Sequence, residues 1–207
     1  MGLDYSYMLY FKRDQLEEVL QAITRFAEKH SPPTQILFPD HILEIPIDSG
    51  SPEGDILNFD DPELGFDTVL IFEEDDAILD WGHGQEITNN SALNSINNTS
   101  RLVSVGYIYL TIYNDLSDYY PEIDLQLQDL VLFSFGTTGT RMSKLFYYSK
   151  SIRDQFTQLL RECNGICGIF NMEEQGEVFW LEGMPIQMDI DDVWSSPDEI
   201  IKKLRNG

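Results

Sequence analysis

The sequence predicts an α+β fold, with a mostly antiparallel or mixed sheet and two principal helices packed on it. Three observations carry this reading. Short runs rich in Val, Ile, Phe and Tyr recur along the chain, each bounded by Gly, Pro, Asn or Asp. Two segments, beginning near Leu16 and Ser151, repeat their apolar residues at helical spacing instead. The apolar share is 42% and the aromatic share 12%, enough to bury a full core in spite of a formal charge of −23. At 207 residues the chain is expected to form one domain, 1–207, with an acidic and Asn-rich connection over 48–100.

Residues 5–11, four of them aromatic, read as the first strand. Leu16, Val19, Leu20, Ile23 and Ala27 then fall on one helical face, with acids early and basic residues late, until Pro32-Pro33 stops the helix. Gln35–Phe38 and Ile42–Ile47 read as two short strands. Residues 48–67 read as a long acidic loop, and Thr68–Phe72 as a strand. Residues 84–100 are rich in Asn, Ser and Thr and read as a connection. In Leu102–Tyr113, strict alternation puts Val103, Val105, Tyr107 and Tyr109 on one face and Leu102, Ile108, Leu110 and Ile112 on the other. Both faces are apolar, which predicts a central strand covered on both sides.

Leu130–Phe135 and Lys144–Tyr148 read as strands joined by a glycine hairpin at 136–140. A helix follows, with Ile152, Phe156, Leu159, Leu160 and Cys163 inward and Asn164-Gly165 as its stop. Ile166–Asn171 and Val178–Leu181 are strands, and a short helix starts at Ser195 or Ser196. The order strand–helix–strand–strand thus appears at 5–47 and again at 144–182. Arg-Asp-Gln recurs at 13–15 and 153–155, which suggests a pseudo-duplication.

The charge is unevenly spread. No Lys or Arg lies between Lys29 and Arg101, a stretch holding fifteen acids. A second cation-free run, 162–201, holds ten. Thirteen cations against thirty-six acids cannot build the counterion-releasing surface of a direct nucleic-acid binder. Such a surface is also repelled by anionic lipid, and no apolar run approaches the roughly 20 residues of a membrane span. The first residues carry no secretory pattern, so a cytoplasmic protein is expected. The two cysteines, Cys163 and Cys167, form no C-x-x-C and read as buried apolar residues. No Walker A, G-x-S-x-G or H-E-x-x-H occurs, and no cofactor is implied.

What remains is a non-enzymatic, acidic interaction protein, of the inhibitor or immunity type, that covers a basic protein partner. Its docking acids would be Asp60, Asp61, Glu63, Glu73, Glu74, Asp75 and Asp76, the densest group. They flank Thr68–Phe72, a strand of about 17 Å, so both clusters are expected within one interface. The alternative is a carboxylate-based enzyme dependent on a divalent metal. Its candidates are the same acids, the set Asp189, Asp191 and Asp192, and an acid–base pair Asp80 and His83 in a glycine-flanked segment. None follows the spacing of a calcium loop. Crowding of so many carboxylates is expected to raise their pKa values.

Overall fold

A computed structural model of the chain describes residues 2–50, 56–82, 101–116, 129–191 and 199–200. They form an α+β fold. In chain order the elements are β1 (Ser6–Lys12), α1 (Leu16–Ile23), β2 (Thr34–Leu37), β3 (Ile42–Ile45), β4 (Ile56–Asn58), β5 (Glu63–Glu73) and α2 (Asp76–Gly82). Then come β6 (Leu102–Tyr113), β7 (Leu130–Gly136), α3 (Thr140–Tyr148), α4 (Lys150–Glu162), β8 (Cys167–Asn171), β9 (Gly176–Leu181) and β10 (Met184–Ile190). Seven strands make an antiparallel sheet in the order β10-β9-β8-β1-β7-β6-β5, and three make a small mixed sheet in the order β3-β2-β4. Among the described residues no helix is long and apolar enough to cross a membrane.

The strand covered on both faces is β1, at the centre of the large sheet. Tyr7, Leu9 and Phe11 point to the helices and Met8 and Tyr10 to the opposite side, and all five are buried. On the helical side Tyr7 sits among Phe146, Phe156, Phe170 and Phe179, with ring centroids 4.5–5.6 Å away. Its hydroxyl donates to the Phe146 carbonyl at 3.2 Å, and burial pushes its pKa well up. Met8 and Tyr10 join Leu132, Cys167, Ile169 and Val178 in a second core, with Leu116 and Ile200. Both cysteines are buried, and burial raises the Cys163 thiol to about 11.

Helix α4 packs very close to β8. A Cβ on Gly168 would stand 2.6 Å from Leu160 Cδ1 and 2.8 Å from Phe179 Cζ, so any side chain there would force both to move. The helix stops at Asn164, whose φ of 52° is left-handed, and the Gly165 N–H donates to the Leu160 carbonyl.

Strand β6 departs from the alternation expected of it. Val103, Val105, Ile108, Leu110 and Ile112 all face the helix-side core, while Tyr107 and Tyr109 are 63% and 53% exposed. The reason is a bulge. From the pair Val69–Tyr107 to the pair Ile71–Ser104, two residues of β5 match three of β6. Gly106, with φ of 98°, supplies the backbone that this needs. The strand is second from the edge and is covered on one face over its outer half.

Other elements differ from expectation too. Strand β5 runs over eleven residues, because residues 63–67, expected in a loop, pair with β6. Residues 144–148 lie inside α3, where Met142, Leu145 and Phe146 are buried at helical spacing, and residues 136–140 lead from strand into helix instead of turning a hairpin. The segment 144–182 therefore runs helix–helix–strand–strand. Its hairpin β8–β9 joins the large sheet, whereas β2–β3 belongs to the small one.

The outer edge of β5 is closed by neighbouring chain. Glu28 N donates to Val69 O at 2.8 Å, Ile71 N to Phe26 O at 2.8 Å, and Asp67 N to Asp48 O at 3.0 Å. These bonds hide an edge that would otherwise invite pairing, and they tie the segments flanking the small sheet to the large one.

Candidate docking face

The acids singled out by the sequence fall at the two ends of β5. Ten residue steps at about 3.3 Å separate Glu63 from Glu73 by roughly 33 Å. That is about twice the separation expected, and close to the full width of an interface burying about 800 Å² per partner. The two clusters belong to different surroundings.

At the far end Glu74 and Asp75 are engaged. Asp75 accepts hydrogen bonds from Ile78 N (2.9 Å), Ser151 N (2.9 Å) and Ser149 Oγ (2.8 Å). It therefore caps α2 and holds the start of α4, whose own N-cap is Ser149. Burial alone would raise the Asp75 carboxyl, but the bonds from the Ser151 and Ile78 amides, Ser149 and the Lys150 amide outweigh it and hold the pKa below the ordinary value. Glu74 pairs with Arg101 at 3.2 Å, and its amide donates to the Arg101 carbonyl. Asp76 is exposed in the first turn of α2, where a negative charge is favourable. Glu73 is exposed on the wall of a partly open cavity of about 230 Å³ also lined by α1 and α4, where Arg25 and Glu162 form an ion pair at 3.2 Å. Asp80 is exposed on α2, and His83, its expected acid–base partner, lies outside the described residues.

At the near end the acids face solvent. β4 ends at Asn58, and a tight turn leads into β5. Asn58 Oδ1 accepts from Asp60 N at 3.2 Å, and Asp61 N donates to Asn58 O at 3.0 Å. The buried side chain of Asn114 donates to the carbonyls of Phe59 (2.9 Å) and Asp61 (3.0 Å), while its amide donates to Pro62 O. The turn backbone is thus clamped, and Asp60, Asp61 and Glu63 are all exposed, although Asp61 Oδ2 accepts a long bond from Asn58 N at 3.4 Å. Among the described residues no Lys or Arg forms an ion pair with them.

The turn between β2 and β3 emerges at the same end of the small sheet, because β2 is parallel to β4 and antiparallel to β3. Here His41, outside the set of acids chosen from the sequence, stands between two carboxylates. Its Nδ1 is 2.8 Å from Asp40 Oδ1 and its Nε2 is 3.1 Å from Glu17 Oε2 on α1. Its ring stacks on Phe38, which in turn packs on Phe59 in the turn after β4. The hydrogen bond with Asp40, with help from the Glu17 charge, raises the His41 pKa above its usual value and lowers that of Asp40. The carboxyls of Asp40 and Asp75 thus move down, not up as crowding predicts: local hydrogen bonds act at shorter range than the screened repulsion of the surface.

For a metal, the described residues offer no group of three or more His, Cys, Asp or Glu side chains placed to hold an ion. Asp189 and Asp191 are exposed at and just beyond the end of β10, and Asp192 is outside the described residues. In the second acidic run, Glu177 is bound by both Arg153 nitrogens, at 2.6 and 3.1 Å. Comparison of the chain with protein-family models, with curated proteins and with solved structures gives no match.

Proposed function

We propose that the chain is a non-enzymatic, acidic, cytoplasmic interaction protein that covers a basic protein partner, in the manner of an inhibitor or immunity protein. The observation that supports this most is the clamped turn at 58–62. Its backbone is held by buried Asn114, whose carbonyl accepts from Arg13, and Asp60, Asp61 and Glu63 are exposed on it with no described Lys or Arg in an ion pair with them. A rigid turn presenting exposed carboxylates lowers the entropy lost on binding and steers a cationic partner by long-range attraction.

The test is positional. A partner is recovered from the host lysate, and its association rate is measured at two ionic strengths. Asp60→Asn/Asp61→Asn/Glu63→Gln is expected to slow association and flatten its salt dependence, whereas Asp76→Asn/Asp80→Asn, with similar loss of charge, changes both far less. Equal effects of the two sets, or recovery of no basic partner, would leave the acids as a solvated surface.

A further inference from the structure

We infer that the outer face of the three-stranded sheet seats a basic amphipathic helix of the partner, its apolar stripe on Leu37, Ile42 and Ile56. This inference rests on the docking reading and names the surface and the chemistry that complete it. Alternation turns Thr34, Ile36, Leu43 and Ile45 inward, where they are buried. The same alternation turns Gln35, Leu37, Ile42, Glu44, Ile56 and Asn58 to the other face. Leu37 is 39% exposed, Ile42 56% and Ile56 63%. These are three of the eight large apolar residues exposed among those described, gathered on three short strands.

The register arranges them. Leu37 lies opposite Ile42, Gln35 lies opposite Glu44 and beside Ile56, and Leu37 lies beside Asn58. The apolar side chains therefore run diagonally, Ile42 to Leu37 to Ile56. With strands about 4.8 Å apart and about 3.3 Å per residue, the diagonal is about 12 Å long. Two turns of helix rise about 11 Å, so apolar residues at i, i+4 and i+7 match it. A partner strand is less suited, because β2 is the central strand and this face offers side chains, not free backbone.

Charge selects the occupant. Glu44 lies on one side of the diagonal, held by Gln35 Nε2 at 2.9 Å. Asn58 lies on the other side and leads into Asp60 and Asp61. The whole cation-free stretch between Lys29 and Arg101 contains this sheet. A second copy of a chain with a charge of −23 is repelled from such a face, as is an anionic membrane. A helix with Lys or Arg on both flanks of an apolar stripe satisfies both the centre and the rim.

The experiment uses the full chain and two synthetic Leu–Lys peptides of identical composition, one with leucines at i, i+4 and i+7, the other scrambled. At physiological salt the patterned peptide is expected to bind roughly tenfold more tightly than the scrambled one. Ile42→Ser/Ile56→Ser removes that preference and leaves the scrambled peptide's affinity unchanged, while Asp60→Asn/Asp61→Asn weakens both. Thermal melting confirms the fold of each variant. As an independent readout on the unaltered chain, amide shifts caused by the patterned peptide should fall at 35–45 and 56–61. Equal binding of both peptides, retention of the preference by the Ile variant, or shifts confined elsewhere overturns this inference and leaves the docking reading standing. Binding of neither peptide overturns both.

Discussion

The two ends of β5 carry acids of the same kind at similar density and use them in opposite ways. At 73–76 the chain passes from strand into helix, and the carboxylate of Asp75 meets the amides of two helix starts. Glu74 beside it meets Arg101. At 60–63 the chain passes from strand to strand through a turn whose amides are already satisfied by Asn58 and whose carbonyls are taken by Asn114. Only one long bond, from Asn58 N to Asp61 Oδ2 at 3.4 Å, draws on a carboxylate there, and Asp60, Asp61 and Glu63 remain exposed to water. A run of acids in a sequence is thus no measure of a docking surface. What separates the two roles is whether unpaired backbone donors lie within reach.

The sharpest way to break the comparison is to challenge the bulge that lies between the two ends. If the exposed and covered faces are divided as described, Leu110→Asp puts a charge into the helix-side core and prevents folding, at a cost of several kcal/mol. Tyr107→Asp, on the exposed face just beyond the bulge, stays soluble and melts cooperatively. An unfolded Tyr107→Asp would restore simple alternation through Gly106 and undo the assignment of faces on which the two ends depend.

Asp75→Ala is the next largest effect. Two helix starts and a serine hydroxyl lose one acceptor, and each cap contributes about 1 kcal/mol, so urea titration should show a loss of about 2–3 kcal/mol. Because the folded-state pKa of Asp75 is lowered, its contribution is fully present above the unfolded value of 3.8 and is lost as pH falls through the folded value. The wild type should therefore lose stability below about pH 4 more steeply than Asp75→Asn. Asp60→Asn/Asp61→Asn, by contrast, is expected to shift stability by no more than about 0.5 kcal/mol. A large loss in that variant, or none in Asp75→Ala, would erase the difference between the ends.

How far the sequence reveals these matters varies by element. Strand β1, helix α4, and the hairpins β2–β3 and β8–β9 are plain in it, but helix α1 is plain only in its start. It ends at Ile23, and Ala27, expected on its apolar face before Pro32-Pro33, bridges Leu70 at the edge of β5. Strand β6 is plain in extent but not in facing, since a single glycine shifts the alternation and only pairing with β5 shows it. Helix α3 is obscured by Leu145-Phe146-Tyr147-Tyr148, a run with high strand propensity that tertiary packing overrides. Strands β4 and β10 carry too few buried residues to declare themselves. Within the candidate face, Asp60, Asp61 and Glu63 are legible as charge. The signal that would have set Asp75 apart is also present: an Asp followed by Asp-Ala-Ile-Leu is a helix start. The pairing of His41 with Glu17, 24 residues earlier, depends on how the small sheet meets α1 and has no local trace.

The smallest expected effect concerns that pair. His41 and Asp40 sit at the near end, beside the turn of outward acids, yet they behave like the far end: the imidazole finds a carboxylate on each nitrogen and links the small sheet to α1. Its folded-state pKa is raised, so its contribution is full below the unfolded value of 6.5 and is lost as pH climbs through the folded value. The wild type should consequently melt at a higher temperature at pH 5.5 than at pH 7.5, opposite in sign to the acid limb set by Asp75. His41→Gln keeps a hydrogen-bonding side chain but not the titration, so it should abolish that difference while leaving the loss below pH 4 in place. Thermal melts of the two proteins at three pH values in low salt separate the terms. If His41→Gln retains the full gain between pH 7.5 and 5.5, the gain comes from elsewhere on the surface, and the near end holds only solvated charge.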